Sequence, residues 1–331
     1  MNVAVVGGGA WGTTLADLLA RKGAEVRLWV READVVEGIN RSHVNATFLP
    51  GAALSPDIRA TGDLAEAVRG AQVVVSAAPS HAVRDVMAQA APHLTDRPLV
   101  VSVSKGLEPG RLERLSVVLE EILDGVPVAV VSGPSFAREV FDRQPTAVVA
   151  AARDHHVAQR VQQAFSCGHF RVYSHTDVTG VELGGALKNV IALAAGILEG
   201  LGLGNNPRAA LITRGLAEIT RLGVALGANP LTFAGLAGMG DLILTATGTL
   251  SRNRTLGIAL GRGASLAEAQ AGRASVAEGV ITAKSAVALG ERHGVELPIA
   301  SQVADILFHG KPAGEAVPAL MGRDLKAEQW R

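Results

Sequence analysis

The first twenty residues constrain this chain more than any other stretch of it. An apolar run, Val3–Val6, leads straight into Gly7-Gly8-Gly9-Ala10-Trp11-Gly12 and then into a helix-like segment, Trp11–Ala20. Gly7, Gly9 and Gly12 form a G-x-G-x-x-G pattern at a strand-to-helix turn. The first glycine permits the tight turn, the second lets backbone N–H groups approach a pyrophosphate, and the third lets the helix pack against the strand. The helix N-terminus adds a partial positive charge at the same place. In a chain with 38 glycines such a pattern alone is weak. Here strand, turn, helix and following strand fall in register, which favours a dinucleotide-binding turn over a bare glycine turn.

The rest of the first half has the texture this turn requires. Apolar runs predict strands at Val3–Val6, Val26–Val30, Ile58–Thr61, Val73–Ala78, Leu99–Ser104, Val128–Ser132, Thr146–Ala151 and Phe170–Ser174. Amphipathic stretches between them, such as Leu64–Val68, Ala82–Ala91, Leu112–Leu123 and Val157–Phe165, predict helices, and Asp63 with Glu66 reads as a capping box. Val- and Ala-rich runs without alternation fit strands buried on both faces, and alternating β and α elements imply a doubly wound, mainly parallel α/β sheet. From Val178 onward no strand pattern is found, and helical periodicity covers Val181–Leu198, Ala209–Leu226, Arg254–Leu260, Ile281–His293 and Ser301–Phe308. The expectation is a dinucleotide-binding domain over 1–178 and an all-helical domain over 179–331.

Composition narrows the function. Two cores suit 331 residues of which 48% are hydrophobic, and with 3% aromatics those cores must be built from Ala, Val, Leu and Ile. Zero formal net charge leaves no basic excess for nucleic acid. The single cysteine, Cys167, excludes an internal disulfide and a Cys-based metal site. The N-terminus carries no signal-peptide pattern, and no uninterrupted apolar stretch reaches the ~20 residues of a bilayer span. A soluble, cytoplasmic protein without membrane insertion is expected, with a homodimer as the default assembly.

The second half supplies the groups a carbonyl reduction needs, namely a proton for the oxygen and a stabiliser of its developing charge. Lys188 stands in an apolar helical stretch, Gly184-Gly185-Ala186-Leu187-Lys188-Asn189-Val190-Ile191. It is either an active-site cation or a lysine that snorkels to the surface. Small residues at 184–186 would let cofactor or substrate come near. Lys105 follows a strand, at the sheet edge where ligands gather in open α/β folds. Asp241, flanked by glycine, either orients a lysine, binds a substrate hydroxyl or caps a helix. Ser251-Arg252-Asn253-Arg254 concentrates phosphate-binding side chains just before a helix. Arg31, nineteen positions after Gly12, stands where an acidic residue would select NAD; an arginine there pairs with the 2′-phosphate of NADP, unless it is simply solvated. Glu32 follows it, so the reading favours NADP(H) and leaves NAD(H) open.

With these residues in view, the chain resembles the bacterial NAD(P)-dependent glycerol-3-phosphate dehydrogenase family. The likeness lies at Gly7-Gly8-Gly9-Ala10-Trp11-Gly12-Thr13, Phe48-Leu49-Pro50-Gly51, Ser104-Lys105-Gly106-Leu107-Glu108 and Ser132-Gly133-Pro134-Ser135-Phe136-Ala137. It continues through 181–200, 205–223, 236–242, Ser251–Arg254 and Glu278-Gly279, nearly the whole length in order. The resemblance implies a Rossmann domain followed by an all-α domain similar to that of 6-phosphogluconate dehydrogenase. It implies reduction of glycerone phosphate to sn-glycerol 3-phosphate for glycerophospholipid synthesis. By the same likeness Lys188 exchanges the proton and Lys105 touches substrate and cofactor. Gly133, Ser135, Asp241, Ser251, Arg252 and Asn253 line the substrate pocket, with Arg252 also reaching the cofactor. Ala10, Trp11, Arg31, Phe48, Ala137, Val276 and Glu278 join Gly7, Gly9 and Gly12 in the dinucleotide site. The chain departs from the family's usual residues at Gly8 (alanine), Phe48 (often tyrosine), Ala246 (cysteine) and Gly248 (serine), none of them a reacting group. Two rivals stand beside this reading: a β-hydroxyacid dehydrogenase of similar plan, and a non-catalytic dinucleotide sensor.

Overall fold

The computed structural model of the protein describes residues 1–271, 277–325, 327 and 328. The first half builds one sheet from β1 (Asn2–Val6), β2 (Glu25–Trp29), β3 (Ile58–Thr61), β4 (Val73–Ser76), β5 (Leu99–Ser102), β6 (Val128–Ser132), β7 (Thr146–Ala151) and β8 (Phe170–His175). Their order is β3-β2-β1-β4-β5-β6-β7-β8, and every neighbouring pair is parallel except β6 and β7. All eight predicted strands form. The valine runs do not alternate because both faces of the sheet are covered: Val3 and Val5 join one core with Leu15 and Leu28, while Ala4 and Val6 join another with Met87 and Leu119. Chain order reverses between β1 and β4, and in open α/β sheets it is at the carboxyl ends of strands flanking such a reversal that ligands bind.

Three local expectations are corrected. The helix expected over 112–123 runs only Leu115–Ile122. Leu112 has φ +63°, and the Leu107–Arg114 bridge, with the Glu108 N–H donating to the Glu113 carbonyl, makes a turn of the residues before it. Asp63 does cap its helix, accepting from the Ala65 and Glu66 N–H groups. Glu66 does not reciprocate: Thr61 takes its carboxylate at 2.6 Å and also accepts the Asp63 N–H. The periodicity also leaves out the helices Ala33–Ser42, Ala137–Phe141, Pro230–Phe233, Asp241–Thr247, Leu266–Gln270 and Ala313–Met321, most of them too short for a pattern to register.

After His175 no strand occurs among the described residues. The helix Val178–Gly200 is the hub of this half and is buried nearly all round. It is long and apolar enough to cross a bilayer even though Glu182, Lys188 and Asn189 interrupt its apolar run; 94% of its most apolar window is buried inside the protein, as in a core helix. It crosses the helix Arg252–Gly261 at very close range. A Cβ on Gly196 would stand 2.1 Å from the Arg254 carbonyl oxygen, and one on Gly257 2.1 Å from that of Leu193. Only paired glycines allow backbones this near, and the contact fixes the start of Arg252–Gly261 against the middle of the hub. We therefore expect Gly257→Ala to cost roughly 1–3 kcal/mol of stability through overpacking. Calorimetry should show a lowered Tm, whereas Gly314→Ala, whose Cβ meets open space, should not lower it.

Candidate active site

The carboxyl edge of the sheet gathers most of the residues singled out by sequence. Gly7 follows β1 with φ +127°, and a Cβ there would lie 2.7 Å from the Ala77 carbonyl oxygen beyond β4. Gly12 is closer still, a Cβ being 1.9 Å from the Gly7 oxygen, whereas Gly9 has nothing within 4 Å. Two glycines close the turn on itself and the third faces open space before the helix Ala10–Arg21. That cradle fits a pyrophosphate, held by backbone N–H groups at a helix N-terminus. Gly8 has its own reason to lack a side chain, since a Cβ would lie 2.5 Å from the Val30 side chain.

Around the turn, Ala10, Trp11 and Phe48 pack half-buried against the sheet core, with Trp11 6.4 Å from the Phe170 ring between centroids. The Ala137 carbonyl accepts from the Thr14 hydroxyl at 3.2 Å, which ties the segment after β6 to the first helix. Arg31 lies just past β2 with its side chain 83% exposed, paired with Glu32 at 2.9 Å. Glu278, in the first turn of the helix Glu278–Arg292, accepts from the backbone N–H of Ser80 at 3.2 Å and its hydroxyl at 2.6 Å. The helical half thus closes onto the loop after β4. Val276 lies outside the described residues.

A second cluster lies where the hub helix meets β5 and β6. Asp241 is fully buried between two ammonium groups: Lys188 Nζ donates to Oδ1 at 2.6 Å and Lys105 Nζ to Oδ2 at 2.7 Å. Lys105 also donates to the Gly133 carbonyl at 2.9 Å, as does the Ser135 hydroxyl. Thr245 sends its hydroxyl proton to the Asp241 carbonyl at 2.7 Å and accepts from Lys188 Nζ at 2.5 Å. Lys188 therefore does not snorkel to the surface, and Asp241 orients it; the residue before the helix Asp241–Thr247 is Gly240, so Asp241 is not the cap. Burial is the largest influence on Lys188 and lowers its pKa to about 8, with Lys105 adding to the fall and Asp241 opposing it.

The small residues before Lys188 serve packing rather than ligand approach. A Cβ on Gly184 would meet the Ala237 carbonyl oxygen at 2.5 Å, and one on Gly185 the Ser132 hydroxyl at 2.4 Å. They bring the hub helix against the wide turn Leu236–Gly240 and the end of β6, which is how Lys188 reaches the sheet edge. The four residues of the expected anion cluster are placed in different surroundings. Ser251 is buried and caps the helix by accepting the Arg254 N–H, and Arg254 is held by the Glu199 carboxylate. Asn253 is buried, donating to Asn189 at 3.0 Å and accepting from the Gly279 N–H at 3.0 Å. Arg252 alone of the four is exposed. Sequence reasoning passed over Thr245, Asn189 and Ser80. Thr245 was legible in principle, lying four residues after Asp241 on one helical face; Ser80 carried no local signal.

With this geometry established, comparison with known proteins is decisive. Residues 2–158 match the NAD-dependent glycerol-3-phosphate dehydrogenase N-terminus and residues 177–318 its C-terminus. The chain belongs to the NAD-dependent glycerol-3-phosphate dehydrogenase family. It is 55% identical to the glycerol-3-phosphate dehydrogenase (NAD(P)+) of Geobacter sp. (strain M21), over 99% of this chain and 98% of that protein. It is 50% identical to that of Streptomyces griseus, again over 99% and 98%. The crystal structure of glycerol-3-phosphate dehydrogenase from Coxiella burnetii superposes with a TM-score of 0.94 at 39% identity, covering 97% of this chain and 99% of that one.

Asp241 pairs with two cations, so its removal has a defined energetic signature. We expect Asp241→Ala to destabilise the fold by roughly 3 kcal/mol at mildly acidic pH, by leaving buried positive charge unpaired. The cost belongs to the charged lysine, whose folded pKa lies below its unfolded value. Asp241 raises that pKa toward about 8, so the variant's lysine titrates lower; the loss is full at acidic pH, shrinks as the pH rises toward about 8 and is gone above it. Chemical denaturation across pH checks both the loss and its direction, and Asp241→Asn combined with Lys188→Met should recover most of it.

Proposed function

We propose that the chain reduces glycerone phosphate to sn-glycerol 3-phosphate with a reduced nicotinamide dinucleotide. The observation that carries this reading is the buried Lys188 ammonium, held by Asp241 and Thr245 at the sheet edge where the glycine turn opens. When bound, the reduced dinucleotide supplies a hydride to the carbonyl carbon. Lys188 gives its proton to the carbonyl oxygen, so C=O becomes CH–OH, and takes it back in the reverse direction. A pKa near 8 suits both tasks, because neither protonation state is far from reach at neutral pH. Asp241 aims the ammonium and Lys105 brings a second positive charge to the side where oxygen gains negative charge.

Arg252 and Asn253 are proposed to anchor the substrate phosphate, fixing the ketone for attack, with Gly133, Ser135 and Ser251 completing the pocket. Gly7, Gly9, Ala10, Trp11, Gly12, Phe48, Ala137 and Glu278 are assigned to the dinucleotide. Residues 1–178 would carry the cofactor and 179–331 the substrate. NADPH is the preferred partner in this reading, because the exposed Arg31 guanidinium is free to swing from Glu32 to a 2′-phosphate. A setting in the cytoplasm, at the entry to glycerophospholipid synthesis, goes with the same proposal. A β-hydroxyacid substrate is disfavoured by the full-length family match, and a non-catalytic sensor would have no use for a desolvated lysine.

Lys188→Ala is expected to lower kcat by about a hundredfold or more while dinucleotide affinity stays near wild type. Steady-state rates on glycerone phosphate, with cofactor binding followed by nicotinamide fluorescence, provide the check; near-normal turnover in this variant would refute the assignment. Arg31→Ala should raise KM for NADPH by on the order of tenfold and leave that for NADH nearly unchanged. Initial rates with each nicotinamide decide it.

A further inference from the structure

Asn45 lies outside every role assigned so far, yet its side chain is among the most completely engaged in the protein. It is wholly buried. Its amide nitrogen donates to the Gly8 carbonyl at 2.9 Å and to the Thr13 hydroxyl at 2.8 Å. Its amide oxygen accepts the Phe48 backbone N–H at 3.0 Å. Thr13 closes the ring by donating its own hydroxyl to the Gly8 carbonyl at 3.1 Å. One planar amide therefore bonds the middle of the glycine turn, the first helix and the loop that carries Phe48.

That loop has no helix or strand of its own, although Leu49 is buried in the core beside the sheet and Phe48 packs against it. The loop begins at His43 in a left-handed conformation, φ +54°, and ends at Gly51 with φ +74°, so no regular element carries it from one side to the other. Its other hydrogen bonds run from the His43 N–H to the Ile39 carbonyl at 3.1 Å, the Val44 N–H to the Gly38 carbonyl at 3.3 Å, the Leu49 N–H to the Asn45 carbonyl at 2.9 Å, the Ala52 N–H to the Leu49 carbonyl at 3.3 Å, the Leu54 N–H to the His43 carbonyl at 2.8 Å, and the Arg138 guanidinium to the Pro50 carbonyl at 3.0 Å. None of these reaches the glycine turn. On the turn itself, Gly8 cannot be locked by a side chain, because a Cβ would strike Val30. Its carbonyl is fixed instead from outside, by Asn45 and Thr13. With that carbonyl held, the Gly9 N–H in the same peptide plane has a set direction.

We propose that Asn45 is a positioning residue of the dinucleotide site. It orients the Gly8–Gly9 peptide and joins the Phe48 loop to it, so that both present a pre-ordered surface to the part of the cofactor common to NADP and NAD. The inference rests on the dinucleotide reading of the glycine turn. Asn45 acts through the turn and the loop and takes no part in proton or hydride transfer.

The test compares Asn45→Ala and Asn45→Asp with the wild-type chain. The aspartate keeps the acceptor for Phe48 but turns an oxygen toward the Gly8 carbonyl. Dissociation constants for NADPH and NADH come from nicotinamide fluorescence; kcat and the KM for glycerone phosphate come from initial rates at saturating cofactor. We expect both variants to weaken NADPH and NADH alike, on the order of tenfold, because the lost bonds serve the shared pyrophosphate region. At saturating cofactor, kcat and the ketone KM should stay within about twofold of wild type. Equal shifts for the two cofactors separate this effect from that of Arg31, which discriminates between them. Unchanged dissociation constants in folded variants would overturn the proposal, as would a parallel collapse of kcat and both affinities. If Asn45→Ala does not fold, Thr13→Val removes one partner of the same amide at nearly constant volume. It should move the constants in the same direction, and its failure to do so would equally count against the role. A wild-type chain that bound neither nicotinamide would sink the proposed function itself, whereas wild-type binding with unaffected variants would sink only the role of Asn45.

Discussion

A buried carboxylate held between two ammonium groups is the interaction on which the rest of the site depends. Asp241 alone would be costly to bury, and so would Lys188. Together with Lys105 they form a cluster whose excess positive charge faces the edge of the sheet. The three side chains come from the loop after β5, the hub helix and the helix Asp241–Thr247, so the cluster also binds the two halves of the chain. A second bridge, from Glu278 to Ser80, closes the same seam nearer the glycine turn.

The glycines explain how so much polar chemistry fits beside a helix as apolar as Val178–Gly200. Where that helix passes β6 and the turn 236–240 it presents Gly184 and Gly185; where it crosses Arg252–Gly261 it presents Gly196. Each removes a side chain that would hold the neighbouring backbone away. The result is a rigid stem from which Lys188 projects at a depth fixed by backbone contact, and a helix start at Ser251 whose placement follows from the same crossing. Precise placement of reacting groups by stiff elements is worth more to a reaction than any single contact with substrate.

The sheet was legible in the sequence because its physics is local. Strands buried on both faces must be written as runs of valine and alanine, and strand-to-helix turns that approach a phosphate must be written in glycine. Lys188 could be singled out as an isolated cation in an apolar stretch, but not distinguished from a snorkelling lysine. Its partner lies 53 residues away, on a helix too short to leave a pattern. The Ser251–Arg254 cluster was legible by residue type, but its tertiary ties were not: Glu199 holds Arg254, Asn189 and Gly279 hold Asn253, and Ser251 caps the helix. Asn45 gave no signal at all, since a buried amide looks like a loop residue until its three partners are seen.

The central claim is that burial, more than the facing carboxylate, sets the proton affinity of Lys188. The most direct measurement is a pH titration of the lysine Cε and Nζ resonances in isotopically labelled protein, with Lys188→Met used to assign the signal. The account predicts that this resonance titrates with a midpoint near 8, well below an ordinary lysine. A midpoint at or above 10 would mean that the Asp241 ion pair outweighs desolvation, and would contradict the account of Lys188 as a group poised to exchange a proton.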